Sequence, residues 1–328
     1  MGQQHSRTIS FKKNPSTISS GRASSLATSA AVESFPEGFR WIEGRGISDD
    51  AGPVYLIPNH SDDRARLNSQ HYQIRFVLQN NQMAPVRKEL RRGIKVLDAG
   101  CGTGIWSVEM ARDYPKSDFT ATDINSVFDD TIVDAPTNVR FMLANTLELP
   151  FEDDTFDYVF QRLQLGSFRE KEWPQALQQL IRVTKPGGRT PLFFSSSFNN
   201  TSAIISIFNL KKKKKKCINM HTVHNMLGLR GIYPKFALTF NDAFEAAGLQ
   251  NVQHDHRSIP VGWGPPEIAS ISAKNVMSII EMLKPTITLT LGLSSKEYDE
   301  MSADCVDEFA KHKTYWNVQF AYGQKPLK

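Results

Sequence analysis

The stretch Lys95–Gly104, KVLDAGCGTG, constrains the fold more than any other part of the chain. Apolar residues that favour strands run into Asp98, and three glycines follow at alternate positions, Gly100, Gly102 and Gly104. Because the next residues, 105–112, have a helical pattern, the stretch predicts a strand, a glycine turn and a helix. A ligand can approach the bare backbone of such glycines and meet the free N–H groups of the new helix.

The spacing of the glycines limits which class of ligand the turn is expected to bind. A dinucleotide site has the pattern G-x-G-x-x-G, whereas this chain has D-x-G-x-G-x-G, with Asp98 in the first position. A carboxylate there disfavours a pyrophosphate and favours an amino group. The pattern resembles motif I of the class I S-adenosylmethionine (SAM) methyltransferases, which implies SAM as the cofactor and Asp98 as the residue that orients its amino-acid moiety. A glycine-rich turn without a ligand is the alternative.

A second acidic residue has the spacing expected for a ribose contact. Residues 119–122 have the composition of a strand, and Asp123 follows them, about 20 residues after the turn. A carboxylate at the tip of this strand accepts hydrogen bonds from ribose hydroxyls, and Ile124 is placed to pack against adenine. A helix N-cap or a turn residue is the alternative for Asp123.

Two later strands supply further candidates. The strand 139–143 leads to Asn145 and Thr146, where the family resemblance implies contact with adenine, with the Asn145 amide accepting from its exocyclic amine. The strand 156–160 ends at Gln161. Ligands bind at the carboxyl ends of parallel strands, so Gln161 is predicted to face the cofactor methyl group.

The resemblance continues through a helix at 172–184 and the Lys185–Gly188 turn. It implies an α/β fold with a doubly wound, seven-stranded, mostly parallel sheet of the Rossmann-like methyltransferase type. The last strand, 315–322, is expected to run antiparallel between the fifth and sixth strands. Helices at 267–283 and 295–313 are expected to form a cap.

A helix that begins at Asp62 precedes the glycine turn, and its apolar positions share one face. It contains Arg66, Leu67, Gln70 and His71, which resemble the Arg-Leu-x-x-Gln-His element of the fungal LaeA-like methyltransferases. In that group the helix covers the cofactor pocket, so the resemblance implies a lid. His71 is a candidate general base, and a histidine that is simply packed and hydrogen-bonded is the alternative.

The division of the chain follows its composition. Residues 1–34 are basic and rich in serine, so a disordered tail is predicted, followed by a lead-in and lid at 35–90 and a methyltransferase domain at 91–328. The tail starts Met-Gly-Gln-Gln-His-Ser, which fits N-myristoylation at Gly2. With the neighbouring basic residues, this gives the hypothesis of peripheral membrane contact; an unmodified tail is the alternative.

Residues 190–220 depart from the family pattern. They are rich in Phe, Ser, Asn and Ile and include six consecutive lysines, Lys211–Lys216. A low-complexity insertion is predicted, with a retained intron or gene-model error as its hypothetical origin and an inactivated isoform as one consequence. The lysine run is interpreted as a solvated loop. A patch for nucleic acid, nuclear import or anionic lipid is the alternative, and nucleic acid is not the favoured partner.

Composition sets the remaining expectations. The net charge is +5, but without Lys211–Lys216 the basic count falls to 33 against 34 acidic residues. Three scattered cysteines suit a reducing compartment, with no metal-ligand spacing. Together with the family resemblance, which implies a SAM-dependent methyltransferase, this gives the expectation of a cytoplasmic enzyme acting on a small-molecule or protein acceptor, with membrane-associated and nuclear locations as alternatives. A non-catalytic SAM-binding regulator and a nicotinamide-dependent dehydrogenase are the rival functions.

Overall fold

The computed structural model describes residues 39–42, 45–48, 61–199, 228, 231–303 and 309–327. The predictions for the tail, for Gly2 and for the lysine run lie outside the described residues. Myristoylation of Gly2 stays a prediction, and an intact mass of the protein from its native host is the measurement that checks it. A terminus that is unmodified or only acetylated would contradict it.

A seven-stranded sheet organises the described chain. Its strand order is β5-β4-β3-β6-β7-β9-β8. The strands are β3 (Lys95–Ala99), β4 (Asp118–Asp123), β5 (Val139–Leu143), β6 (Phe156–Arg162), β7 (Thr184–Asn199), β8 (Gln250–Pro260) and β9 (Tyr315–Gln324). The pairings among β3 to β7 are parallel, whereas β9 is antiparallel to both of its neighbours, β7 and β8. This arrangement confirms the predicted fold, including the position of the last strand.

Two short strands and several α-helices accompany this sheet in the described ranges. The strands β1 (Phe39–Ile42) and β2 (Arg45–Ser48) pair antiparallel with each other. The helices are α1 (Ser61–Leu78), α2 (Arg87–Arg92), α3 (Ile105–Asp113), α4 (Asp129–Ile132), α5 (Trp173–Val183), α6 (Phe240–Ala246), α7 (Pro266–Leu291) and α8 (Ser295–Ala303). None of the helices in this part of the chain has the length and apolarity that crossing a bilayer requires.

Helix α7 is longer than the sequence pattern predicts. The sequence pattern predicts a helix at about 267–283, and Pro285, two positions later, lacks the backbone N–H that a continuing helix needs. In the structure the helix continues past Pro285 to Leu291, and Gly292 caps its end in the left-handed conformation with φ of 62°. Ile287, in the continued part, is buried with Tyr298 of α8, so packing between the two helices compensates for the proline.

Strand β7 also extends beyond its prediction. The sequence pattern predicts a short strand at 192–195, whereas the backbone pairs with β9 from Arg189 as far as Asn199. The pairing with β6 reaches Phe193. The fifth strand therefore forms despite the unusual composition from residue 190 onward. The origin of the insertion stays a prediction, since residues 200–227 lie outside the part of the chain that the structure describes.

Separate apolar clusters cover the two faces of the sheet. On one face Leu97 of β3 packs with Trp173 and Leu180 of α5. On the other face Trp106 of α3 stacks on Phe160 of β6, with ring centroids 3.7 Å apart. The chain crosses from one side of the sheet to the other between β3 and β6, so the carboxyl ends of these strands form the switch point at which open α/β sheets bind ligands.

Candidate functional site

The glycine turn joins β3 to α3 at this switch point. Gly100, Gly102 and Gly104 have φ of 78°, 56° and 74°, in the left-handed region that favours glycine. A Cβ atom on Gly100 would lie 2.4 Å from Gln164 Nε2, and one on Gly104 would lie 2.3 Å from Phe141 Cε1. A Cβ atom on Gly102 would meet only Leu67 Cδ1, at 3.9 Å. The backbone at Gly102 is therefore the open part of the turn.

Asp123 lies directly against this turn. Its Oδ2 accepts a hydrogen bond from the Gly102 N–H at 2.8 Å, and its Oδ1 accepts one from the Asn125 N–H at 3.1 Å. Burial raises the pKa of the carboxyl, and the hydrogen bonds from Asn125 and Gly102 oppose that increase. The carboxylate predicted from the sequence spacing therefore does lie against the glycine backbone in the fold.

Asp98 is a second buried carboxyl group beside the turn. Ser107 Oγ, in the first turn of α3, donates a hydrogen bond to Asp98 Oδ2 at 2.6 Å. Burial raises the pKa of Asp98 to about 7, although this hydrogen bond and the positive charge of Arg162 lower it. A carboxyl group whose charge is this poorly compensated is a good partner for a cationic ligand group.

His71 of α1 is held by a chain of polar contacts. Arg162 Nη2 donates to His71 Nδ1 at 2.9 Å, which leaves the ring proton on Nε2, 2.8 Å from Glu109 Oε2. Glu109 also accepts hydrogen bonds from Arg75 and Asn81, at 2.7 and 2.8 Å. These contacts tie helix α1 to helix α3 and to the end of strand β6.

The state of His71 follows from this environment. Burial, followed by the charge of Arg162, lowers the pKa of His71 to about 4, so the ring is neutral at neutral pH. The lone pair on Nδ1 accepts from Arg162. His71 would therefore have to release Arg162 before it could take a proton from a substrate. Its role as a general base stays a prediction.

Helix α1 also contacts the glycine turn itself. Thr103 Oγ1 donates to Asn68 Oδ1 at 2.7 Å, and Leu67 is the side chain nearest to the open position at Gly102. The helix therefore lies beside the open backbone of the turn, where the family resemblance implied a lid. Asn68 and Thr103 were not among the residues predicted from the sequence.

The adenine candidates occupy the far edge of the site. Ile124 is 37% exposed, as an adenine contact in a ligand-free site would be. Asn145 Oδ1 accepts from the Leu147 N–H at 2.9 Å and caps a short 3-10 turn that contains the buried Thr146. The Asn145 amide thus already has one local partner. The adenine roles of Ile124, Asn145 and Thr146 stay predictions.

Gln161 has a different position from the other candidates. Asp98 pairs in register with Phe160 on β6, so alternation along the strand places Arg162 on the Asp98 face and Gln161 on the face covered by α5. Gln161 is fully buried, and neither of its amide atoms has a hydrogen-bond partner among the described residues. Its predicted contact with the cofactor methyl group stays a prediction.

Sequence reasoning missed three further residues that shape the site. Arg162 and Glu109 position His71, and Gln164 Nε2 donates to the Gly100 carbonyl at 3.0 Å. The position of Arg162 could have been predicted. Side chains alternate along β6, and the pairing of β6 with β3 places Arg162 on the same face of the sheet as Asp98. Nothing in the local pattern around Glu109 or Gln164 indicated their partners.

Replacing Glu109 with alanine is expected to lower the free energy of unfolding by about 2–4 kcal/mol, because the buried His71 N–H and the Asn81 amide would lose their acceptor. Urea denaturation of the wild-type and variant proteins measures this difference in the free energy of unfolding. The exposed Glu300 of α8 is the control, and Glu300→Ala should change stability by less than about 0.5 kcal/mol. Equal effects of the two substitutions would contradict the structural role of Glu109.

The chain is similar to known methyltransferases. The model of a methyltransferase domain family matches residues 96–188. The secondary metabolism regulator LAE1 of Cochliobolus heterostrophus is 30% identical over 168 residues, which cover 49% of this chain and 50% of that protein. Methyltransferase str2 of Strobilurus tenacellus is 33% identical over 135 residues, 41% of this chain and 46% of str2. The chain thus spans about half the length of these two relatives.

A third relative is similar over a longer range. N-methyltransferase gliN of Aspergillus fumigatus is 23% identical over 290 residues, which cover 85% of this chain and 99% of gliN. The part of this chain that the family model matches begins in β3 and ends in β7. It therefore contains the glycine turn, Asp123 and the end of β6.

Proposed function

We propose that this chain is a class I SAM-dependent methyltransferase similar to the LaeA-like group, and that it transfers the methyl group of SAM to an acceptor bound beside helix α1. One observation carries the proposal: a buried carboxyl group, Asp98, lies next to a glycine turn whose backbone is open at Gly102.

The residues of the turn fit this cofactor and not a phosphate ligand. Asp98 and Asp123 are two buried carboxyl groups, and a phosphate beside them would add a third negative charge. SAM carries an ammonium group, a ribose diol and no phosphate. Asp98 would hold the ammonium group, Asp123 would accept from the ribose hydroxyls, and the open backbone at Gly102 would admit the ligand without a clash.

Bound SAM supplies a methyl group on a positively charged sulfur, which is reactive without further activation. The protein therefore has to position the cofactor and acceptor and exclude water. Asp98 and Asp123 fix the cofactor from the sheet side, while Leu67 and the rest of α1 cover the turn. The hydrogen bond from Arg162 to His71 holds α1 at the end of β6.

Titration calorimetry with SAM and S-adenosylhomocysteine tests cofactor binding. We expect micromolar affinity both for the full chain and for a version that lacks residues 200–220 and therefore keeps the whole of strand β7. Binding by the shortened version alone would mean that the insertion disables the site. Absence of binding by both, or binding of NAD in its place, would overturn the proposal.

A non-catalytic SAM-binding regulator is the second candidate, because one relative is named as a regulator of secondary metabolism. Transfer of a radiolabelled methyl group from SAM to a small-molecule or protein fraction of the host extract distinguishes the two. Transfer by the wild-type chain, lost in a variant that no longer binds SAM, supports the enzyme. Tight SAM binding without any transfer favours the regulator.

A further inference from the structure

Arg162 is the last residue of strand β6, and its side chain connects the sheet to helix α1. Its Nη2 donates to His71 Nδ1 at 2.9 Å. His71 is neutral, so this contact does not balance the positive charge of the guanidinium group. Burial lowers the pKa of Arg162 to about 10, which still leaves the group protonated at neutral pH. In the part of the chain that the structure describes, no carboxylate oxygen lies within 4.0 Å of this cation.

Asp98 is a carboxyl group that lacks a counter-ion in the same way. Its Oδ2 accepts from Ser107 Oγ, and its Oδ1 has no hydrogen-bond partner among the described residues. Solvent reaches Asp98 Oδ1 and also Nε and Nη1 of Arg162, because the fold does not seal off any of these three atoms. A ligand with charged groups can therefore approach both residues.

The two charged groups lie on the same face of the sheet, at the glycine turn. Asp98 of β3 pairs in register with Phe160 of β6, so Arg162 is two positions further along a strand about 5 Å away. Gln164, two residues after Arg162, donates to the Gly100 carbonyl at 3.0 Å, which keeps the end of β6 against the turn. The charge of Arg162 also lowers the pKa of Asp98, against the larger effect of burial.

We propose that Arg162 binds the carboxylate of the cofactor's methionine moiety while it keeps its bond to His71, so that the bound cofactor holds helix α1 over the glycine turn. This rests on the proposed function. In an α-amino acid the ammonium and carboxylate groups are attached to one carbon atom, so the groups that bind them must be close neighbours of opposite charge. Asp98 and Arg162 meet this requirement. A guanidinium has five N–H donors, so Arg162 can bond His71 and a carboxylate together.

Two ligands that differ only in this carboxylate test the proposal. They are S-adenosylhomocysteine and its decarboxylated analogue, which keeps the ammonium group. Titration calorimetry is carried out at pH 8, where Asp98 is mostly ionised and Arg162 is protonated. We expect the wild-type chain to bind S-adenosylhomocysteine about thirtyfold more tightly than the analogue, the value of roughly one hydrogen-bonded charge pair.

Substitutions locate the preference. Arg162→Met removes the charge and the donors, and its affinity for S-adenosylhomocysteine should fall about thirtyfold more than its affinity for the analogue. Arg91→Met, on the exposed surface of α2, is the control and should keep the wild-type preference. If Arg162→Met does not fold, Arg162→Lys decides, because a single ammonium group cannot span His71 and a carboxylate as the planar guanidinium can. It should reduce the preference severalfold.

Hydrogen exchange of the α1 amides tests the connection to the helix without any substitution. Saturating S-adenosylhomocysteine should slow exchange around His71 severalfold relative to the ligand-free protein. The saturating analogue should slow it less, because it lacks the group that fixes Arg162 against His71.

Equal affinity of the wild-type chain for the two ligands would overturn the proposal. A preference that persists in Arg162→Met, or in Arg162→Lys when that variant decides, would also overturn it, and would point to an anionic acceptor as the partner of Arg162. Equal protection of α1 by the two ligands would overturn the connection to the helix. Failure of the wild-type chain to bind S-adenosylhomocysteine is a separate result, which contradicts the proposed function and is measured first.

Discussion

Gly102→Ala is expected to weaken SAM binding by more than about a hundredfold, or roughly 3 kcal/mol, while the protein remains folded. The new Cβ atom would enter the open space between the turn and Leu67, where the cofactor is expected to lie. The backbone at position 102 has φ of 56°, and an alanine in this conformation lowers the stability of the protein by about 1–2 kcal/mol. Calorimetric titration and thermal unfolding measure the two effects.

A matched control variant distinguishes the loss of space for the cofactor from the effect of backbone strain on stability. Gly248, after α6, has φ of 82°, and a Cβ atom there would have no neighbour within 4 Å. Gly248→Ala should therefore lose similar stability and bind SAM normally. Gly104→Ala should damage the fold more, because its Cβ atom would lie 2.3 Å from Phe141. Normal SAM binding by Gly102→Ala would refute the assignment of the turn.

Asp98→Asn is expected to have opposite effects on stability and on binding. In the ligand-free protein burial raises the pKa of Asp98 to about 7, whereas in the unfolded chain it is about 4. Between these values the native state binds more protons than the unfolded state, so stability falls as pH rises. Asparagine removes this cost and can still accept from Ser107. We expect a gain of about 4 kcal/mol at pH 8.5 that vanishes near pH 4.

Binding of SAM should respond in the other direction. The ionised Asp98 attracts an ammonium group, so the wild-type affinity should rise as pH increases through 7. Asp98→Asn should bind SAM about a hundredfold more weakly at pH 8 and show no such rise. Asp118→Asn, at the exposed start of β4, is the control and should change neither property. A variant that is less stable at pH 8.5, or that binds SAM as the wild type does, would contradict this account of Asp98.

The strand–turn–helix unit at residues 95–113 could be predicted because its signals are local. Three glycines with left-handed backbones, an apolar strand before them and a helix after them are all visible within twenty residues. The fold class followed from the order of such units and from the family resemblance. Asp123 could be predicted as well, because the spacing from one strand to the next in a parallel sheet is nearly fixed.

The partners of these residues could not be predicted in the same way. His71 meets Arg162, which is 91 positions away in sequence, and Gln73 meets Asn275, which is 202 positions away. Such contacts depend on the packing of α1 against α7 and on the side of the sheet that each strand residue faces. Helix α7 itself continued through Pro285 because α8 packs against its end, which no local signal indicated.

The sequence alone therefore determined the glycine turn and the two carboxylates of the proposed cofactor site, since short-range geometry fixes both. Only the tertiary structure decided that His71 has both ring nitrogens engaged and that Arg162 shares a face with Asp98. Burial and hydrogen-bond partners are properties of the packed chain, and they set the charge state and chemistry of each group.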